Sequence, residues 1–132
     1  MKFKVNKVEK LLCLCLRHCD FLEKTLINQL YTELDDYTVF KSAQINGVVS
    51  IVAHALSLCV DSSRIPDYWS DEYTLVENKS HSYMDELNNA ANILSVNGIP
   101  LLALKNSGIT LGMYPYFGAC PMGDVDVLVR KS

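Results

Sequence analysis

Two stretches decide the fold: Gly98-Ile99-Pro100-Leu101-Leu102-Ala103-Leu104-Lys105-Asn106-Ser107-Gly108 and, shortly after it, Gly123-Asp124-Val125-Asp126-Val127-Leu128-Val129. The first opens on a turn signal, Asn97-Gly98, and then runs from Ile99 to Leu104 without a polar side chain. A short apolar run of this kind reads as a buried strand over 99–104, although periodicity alone does not separate it from a buried helix. Lys105-Asn106-Ser107-Gly108 closes the run, a short helix over about 107–113 follows, and a Gly/Pro/aromatic loop spans 114–122. The second stretch alternates acidic and apolar residues and then turns apolar. It reads as a strand over 124–129 with one acidic face near its start.

Everything upstream reads as helix. Val8, Leu11, Leu12, Cys15, Cys19, Leu22, Leu26, Leu30 and Leu34 recur at three- and four-residue steps with no Pro or Gly between them. One long helix over 5–34 is the expectation. Asp35 and Asp36 supply a cap for a second helix over 37–46, and Gly47 stands where a left-handed helix end is expected. A third helix spans 48–60. Asp61 to Pro66 is a break, and a fourth helix runs over 69–96 with a polar middle at 77–82. The fold class is therefore α+β: a mostly helical region, 1–97, followed by the first strand–helix–strand of a mixed sheet, 98–132, in one compact domain. Two strands alone make a marginal sheet. With no later strand following, it reads as truncated, to be completed by the helices, by a second copy of the chain or by another polypeptide.

Composition bounds the function. The 132 residues, 49% of them hydrophobic, are enough to bury one core without covalent staples. A net charge of −3 and the lack of a basic block give no electrostatic footprint for DNA or RNA. Lys2, Lys4, Lys7 and Lys10 precede the apolar run Leu11 to Leu16, but that run is too short for a signal segment and no cleavage site follows. No stretch approaches the roughly 20 apolar residues of a membrane span. Five cysteines, an odd number at irregular spacing, suggest thiols in a reducing, cytoplasmic setting rather than a disulfide framework.

The chemistry concentrates at the two opening stretches. Asp124 and Asp126, two apart on a strand, point to one face about 7 Å from each other. Such a pair repels itself unless a cation lies between the carboxylates or water separates them. Hard oxygen donors of this number suit Mg²⁺, or Mn²⁺, together with substrate phosphates. Lys105, Asn106, Ser107 and Gly108 sit where a strand passes into a helix, and backbone N–H groups there bind phosphate. Gly108 would admit a close ligand, Lys105 would add a point charge and Ser107 a hydroxyl. A phosphate cradle beside a carboxylate pair is what phosphoryl or nucleotidyl transfer needs. The plainer readings are a polar strand end that guards a sheet edge for the aspartates, a solvated Lys105, and Ser107 as a helix N-cap.

The succession Gly98-Ile99-Pro100, Leu104-Lys105, Tyr114-Pro115 and Pro121-Met122-Gly123-Asp124-Val125-Asp126-Val127-Leu128-Val129 resembles the uncharacterised nucleotidyltransferase family of the polymerase-beta-like superfamily. Phe40 to Val48 and Ile65-Pro66 resemble its helical N-terminal region more loosely. The resemblance implies a protein that transfers a nucleoside monophosphate from an NTP to an acceptor hydroxyl with divalent metal. It makes Asp124 and Asp126 metal ligands and puts Lys105 and Ser107 beside the phosphates. Three features depart from the family pattern: Asn106 where the family has Gly, Cys120 where it has Arg, and a third carboxylate from a later strand that this sequence does not supply. They keep open a catalytically inactive remnant acting as an interaction module, or one half of a split enzyme.

Other polar residues read more simply. Cys15, His18 and Cys19 share a helix face with Leu11, Leu12 and Leu22, which fits a core better than a metal cluster. His54 lies in an apolar helix and His81 in a polar stretch, and neither stands in a nucleophile–base arrangement. Tyr114, Tyr116 and Phe117 would stack a nucleobase or pack their own loop.

Overall fold

In the computed structural model residues 5–17, 19–113 and 116–130 are described. The chain is α+β: mostly helical, with a small two-stranded antiparallel sheet near its C-terminal end. It divides into two compact units, one up to Tyr73 and one from Thr74 onward.

The first unit contains α1 (Lys7–Cys15), α2 (Lys24–Glu33), α3 (Asp36–Ile45), α4 (Val49–Cys59) and the first turns of α5 (Asp67–Val96). α1 starts at a reciprocal cap. The Asn6 side chain accepts from the Glu9 N–H at 2.8 Å, and the Glu9 carboxylate accepts from the Asn6 N–H at 2.9 Å. The expected single helix over 5–34 is instead two helices, with a short 3₁₀ turn at Cys19–Phe21 between them. A straight helix would set Leu11 and Leu30 about 28 Å apart. Broken, it lets Leu11, Leu12, Ile27 and Leu30 enter one core with Val39, Val52 and Leu56. An Arg17–Glu23 ion pair spans the break. His18 lies outside the described residues.

α3 begins as the sequence implies: Asp35 accepts from the Thr38 N–H at 2.9 Å and from its hydroxyl at 2.7 Å. Its end is a Schellman turn at Gly47, φ 66°, where Val48 N–H donates to Ala43 C=O at 2.9 Å. Trp69, 1% exposed, meets Phe40 edge-on at 4.9 Å. Asp36 holds three helices of this unit together. Its carboxylate accepts from the Tyr31 hydroxyl of α2, the Tyr68 hydroxyl of α5 and, at 2.8 Å, the Trp69 indole N–H of α5.

The second unit comprises the rest of α5, β1 (Leu101–Leu104), α6 (Lys105–Gly112) and β2 (Asp126–Val129). α5 is continuous through its polar middle. It ends at Gly98, φ 69°, where Ile99 N–H donates to Leu94 C=O at 2.9 Å. That bond takes the Ile99 N–H out of any ladder and Pro100 has none, so β1 starts at Leu101. Met84, Leu87 and Met122 form the small core, with Leu101, Ala103, Phe117 and Val125 packed on it. Tyr83 hydroxyl donates to Gly123 C=O at 2.9 Å and fastens the loop before β2 to α5. Among the described residues no helix is long and apolar enough to cross a membrane. Cys13, Cys15 and Cys120 are free thiols.

Candidate functional site

The site residues come together through the register of the sheet. β1 and β2 pair antiparallel, with Leu101 opposite Val129 and Leu104 opposite Asp126. Leu104–Asp126 is the last rung. Lys105 follows directly with φ 48°, a left-handed conformation uncommon for a residue other than glycine. The chain turns there into α6. The strand expected over 124–129 accordingly begins at Asp126: β1 has already left the sheet, so Asp124 and Val125 have no partner to pair with.

The same turn brings Lys105 back to the head of β2. Its Nζ lies 2.8 Å from Asp126 Oδ2, with side-chain exposures of 72% and 34%. Hydrogen bonding to Asp126 and the charge of that carboxylate hold the Lys105 ammonium above the usual lysine range, and the charge of Asp124 adds a smaller push. Both carboxylates therefore act on Lys105, and the three groups together carry one net negative charge. Val125 and Val127 line a cleft of about 330 Å³ against Tyr83, Glu86, Leu87 and Ala90 of α5. Strand alternation turns Asp126 away from that cleft. Asp124 is exposed.

Ser107 and Gly108 have different surroundings from Lys105. Ser107 is 1% exposed. Its hydroxyl donates to Leu104 C=O at 2.6 Å and lies 3.3 Å from Asp126 C=O. It stands within the first turn of α6 rather than at the N-cap, which is Leu104. A Cβ on Gly108 would meet Ala103 C=O at 2.9 Å, so glycine is required for α6 to lie against β1. In this structure these two residues clamp the β1–α6–β2 junction, and Lys105 and Asn106 are the exposed members of the group. Sequence reading misses that division because it depends on which side of α6 meets the strand. The N-cap residue Leu104 gives no side-chain hydrogen bond to the first-turn N–H groups of α6, the kind of backbone donor that suits an anion.

Two accessible carboxylates whose charge exceeds that of the neighbouring Lys105 would suit a hard divalent cation such as Mg²⁺, which takes one or two carboxylates and fills its shell with water and phosphate oxygens. Among the described residues no group of three His, Cys, Asp or Glu side chains converges. Cys15 is buried in the helical core, and Cys13 on the same helix is exposed. His54 stacks on Tyr73 at 5.8 Å, and His81 meets Phe117 edge-on at 4.4 Å. Phe117 packs on the Met84–Met122 core, which is loop packing rather than an open stacking platform. Tyr114 lies outside the described residues.

No curated protein and no solved structure matches the chain. A family model does, over residues 32–132, and it is described as an uncharacterised nucleotidyltransferase. The matched span contains the Lys105–Asp126 junction, Asp124 and the helices from α3 onward, and on that match the chain belongs to the uncharacterised nucleotidyltransferase family.

Proposed function

We propose that the chain binds a nucleoside triphosphate at the β1–α6–β2 junction and transfers its nucleoside monophosphate to an acceptor hydroxyl. The observation that carries this reading is the Lys105–Asp126 contact at 2.8 Å, in a chain of a nucleotidyltransferase family. It joins an anion-seeking helix start to a carboxylate pair. Nucleotidyltransferases generally act on an NTP with a divalent metal. Here Asp124 and Asp126 would hold that cation, which when bound supplies charge neutralisation at the phosphates. Lys105 supplies a mobile positive charge for the phosphate chain. The exposed backbone around Asn106 offers N–H groups to the same anion. Ser107 and Gly108 hold the junction rigid, so that the carboxylates and the helix start keep their spacing. The free thiols accord with a reducing, cytoplasmic setting.

Isothermal titration with ATP and with GTP, in the presence of Mg²⁺, tests the site. Saturable heat from the native chain and its loss in Asp124→Ala are expected. Equal heats from the two proteins would sink the assignment. A second reading, a module that binds nucleotide without turning it over, is favoured by Cys120. It is half-buried, its carbonyl faces Ser80 at 3.4 Å, and it brings no cation where the family has arginine. Release of pyrophosphate from a bound NTP separates the two readings.

A further inference from the structure

We propose that Lys105 is the resident counter-ion of Asp126, giving up that carboxylate to an arriving divalent cation and moving its ammonium to the nucleotide's phosphates. This rests on the nucleotide site argued above and adds how that site is kept and filled.

An exposed ion pair is weak. With side chains 72% and 34% exposed, the pair biases an equilibrium by no more than about five-fold. That suffices to neutralise Asp126 in the empty site and is small enough to be overcome. A doubly charged ion attracts the carboxylate more strongly than an ammonium does, and it can use Asp124 as well.

The backbone favours an exchange confined to one side chain. Ser107 is tied to Leu104 C=O, and Gly108 is fitted against Ala103 C=O. The junction has little freedom to shift, whereas the four-carbon lysine stem reorients by rotamer changes alone. Lys105 also holds a left-handed φ of 48° that glycine would adopt without strain. Backbone strain of this kind at a charged, exposed residue is expected where the side chain has a task. Released from Asp126, the ammonium stays at the start of α6, beside the backbone N–H groups of that helix's first turn, which suit an anion.

The exchange has a consequence of opposite sign for the two ligands. Lys105 competes with the metal when no nucleotide is present, and it assists the phosphates once the metal is in place. Removing it therefore tightens binding of the metal alone and weakens binding of a phosphate chain. A merely structural lysine would move neither, and a general phosphate-binding lysine would move only the second.

The test measures Mn²⁺ affinity by electron paramagnetic resonance on the full chain without nucleotide. Lys105→Met should bind Mn²⁺ about three- to fivefold more tightly than the native chain. Asp126→Asn should bind it more weakly. Lys79→Met, which removes an equal charge beside Tyr83, should change it less than about two-fold. With saturating Mg²⁺, inorganic tripolyphosphate should bind Lys105→Met several-fold more weakly. Lys105→Gly, which suits the left-handed backbone, repeats the test if the methionine variant does not fold. Unchanged or weakened Mn²⁺ binding in the Lys105 variants, or equal tightening in Lys79→Met, would overturn the exchange while leaving the nucleotide site standing. Failure of Mn²⁺ to bind the native chain and every variant would instead overturn the site reading, and the exchange with it.

Discussion

At the residue scale, side chains that stand next to one another in sequence have separate duties. Lys105 is exposed and paired with Asp126, whereas Ser107 is buried and spends its hydroxyl on backbone. The nearness of Lys105 to Asp126 was legible in the sequence, because the strand before Lys105 and the strand of Asp126 belong to one sheet. The duties of Ser107 and Gly108 were not, because they are set by contact with β1 rather than by residue type. Gly108 gives a direct check. Gly108→Ala forces a Cβ to within 2.9 Å of Ala103 C=O and should destabilise the chain by about 1–3 kcal/mol. Urea unfolding measures this, and a loss under about 0.5 kcal/mol would contradict the packing. The cysteines give another check. Burial first, and the neighbouring Cys59 second, push the Cys15 thiol up to about 12, while Cys13 is exposed. A thiolate is the reactive form. At mildly alkaline pH iodoacetamide should therefore label Cys13 and spare Cys15, as peptide mass mapping will show; equal labelling would mean that the α1 core opens readily.

At the element scale, boundaries are set by partners. The helix ends at Gly47 and Gly98 and the cap at Asp35 were readable, because each depends on a residue's own conformational preference. The break between α1 and α2 was not, since no Gly or Pro marks it; the core shared by Leu11 and Leu30 imposes it. The start of β2 at Asp126 was equally hidden, because β1 decides where pairing stops. The tie among α2, α3 and α5 is Asp36, which reads in sequence only as a capping residue. Its carboxylate collects two tyrosine hydroxyls and the Trp69 N–H. Asp36→Ala leaves these donors without their acceptor and should cost about 2–4 kcal/mol. Chemical denaturation checks it, and Asp36→Asn, which keeps an acceptor oxygen, should lose less.

At the scale of the whole molecule, acid stability and the site's purpose can be tested on the intact chain. Asp35 and Asp61 are held below the usual carboxylate value of 3.8, chiefly by hydrogen bonds to Thr38 and Ser63. A carboxylate lowered by folding stabilises the native state above its unfolded value, and that contribution is lost as pH falls through the folded one. Thermal midpoints should thus fall below about pH 4 less steeply in the Asp35→Asn, Asp61→Asn double variant than in the native chain; parallel curves would remove these caps from the acid response. In the proposed function Asp124, Asp126 and the start of α6 form one nucleotide site. Paramagnetic broadening by Mn²⁺, with a non-hydrolysable ATP analogue present, tests it most directly. Amide signals of 123–127 and 105–108 should vanish first in the native chain and persist in the Asp124→Ala, Asp126→Ala variant. Broadening centred on other residues, or unchanged by the double substitution, would contradict it.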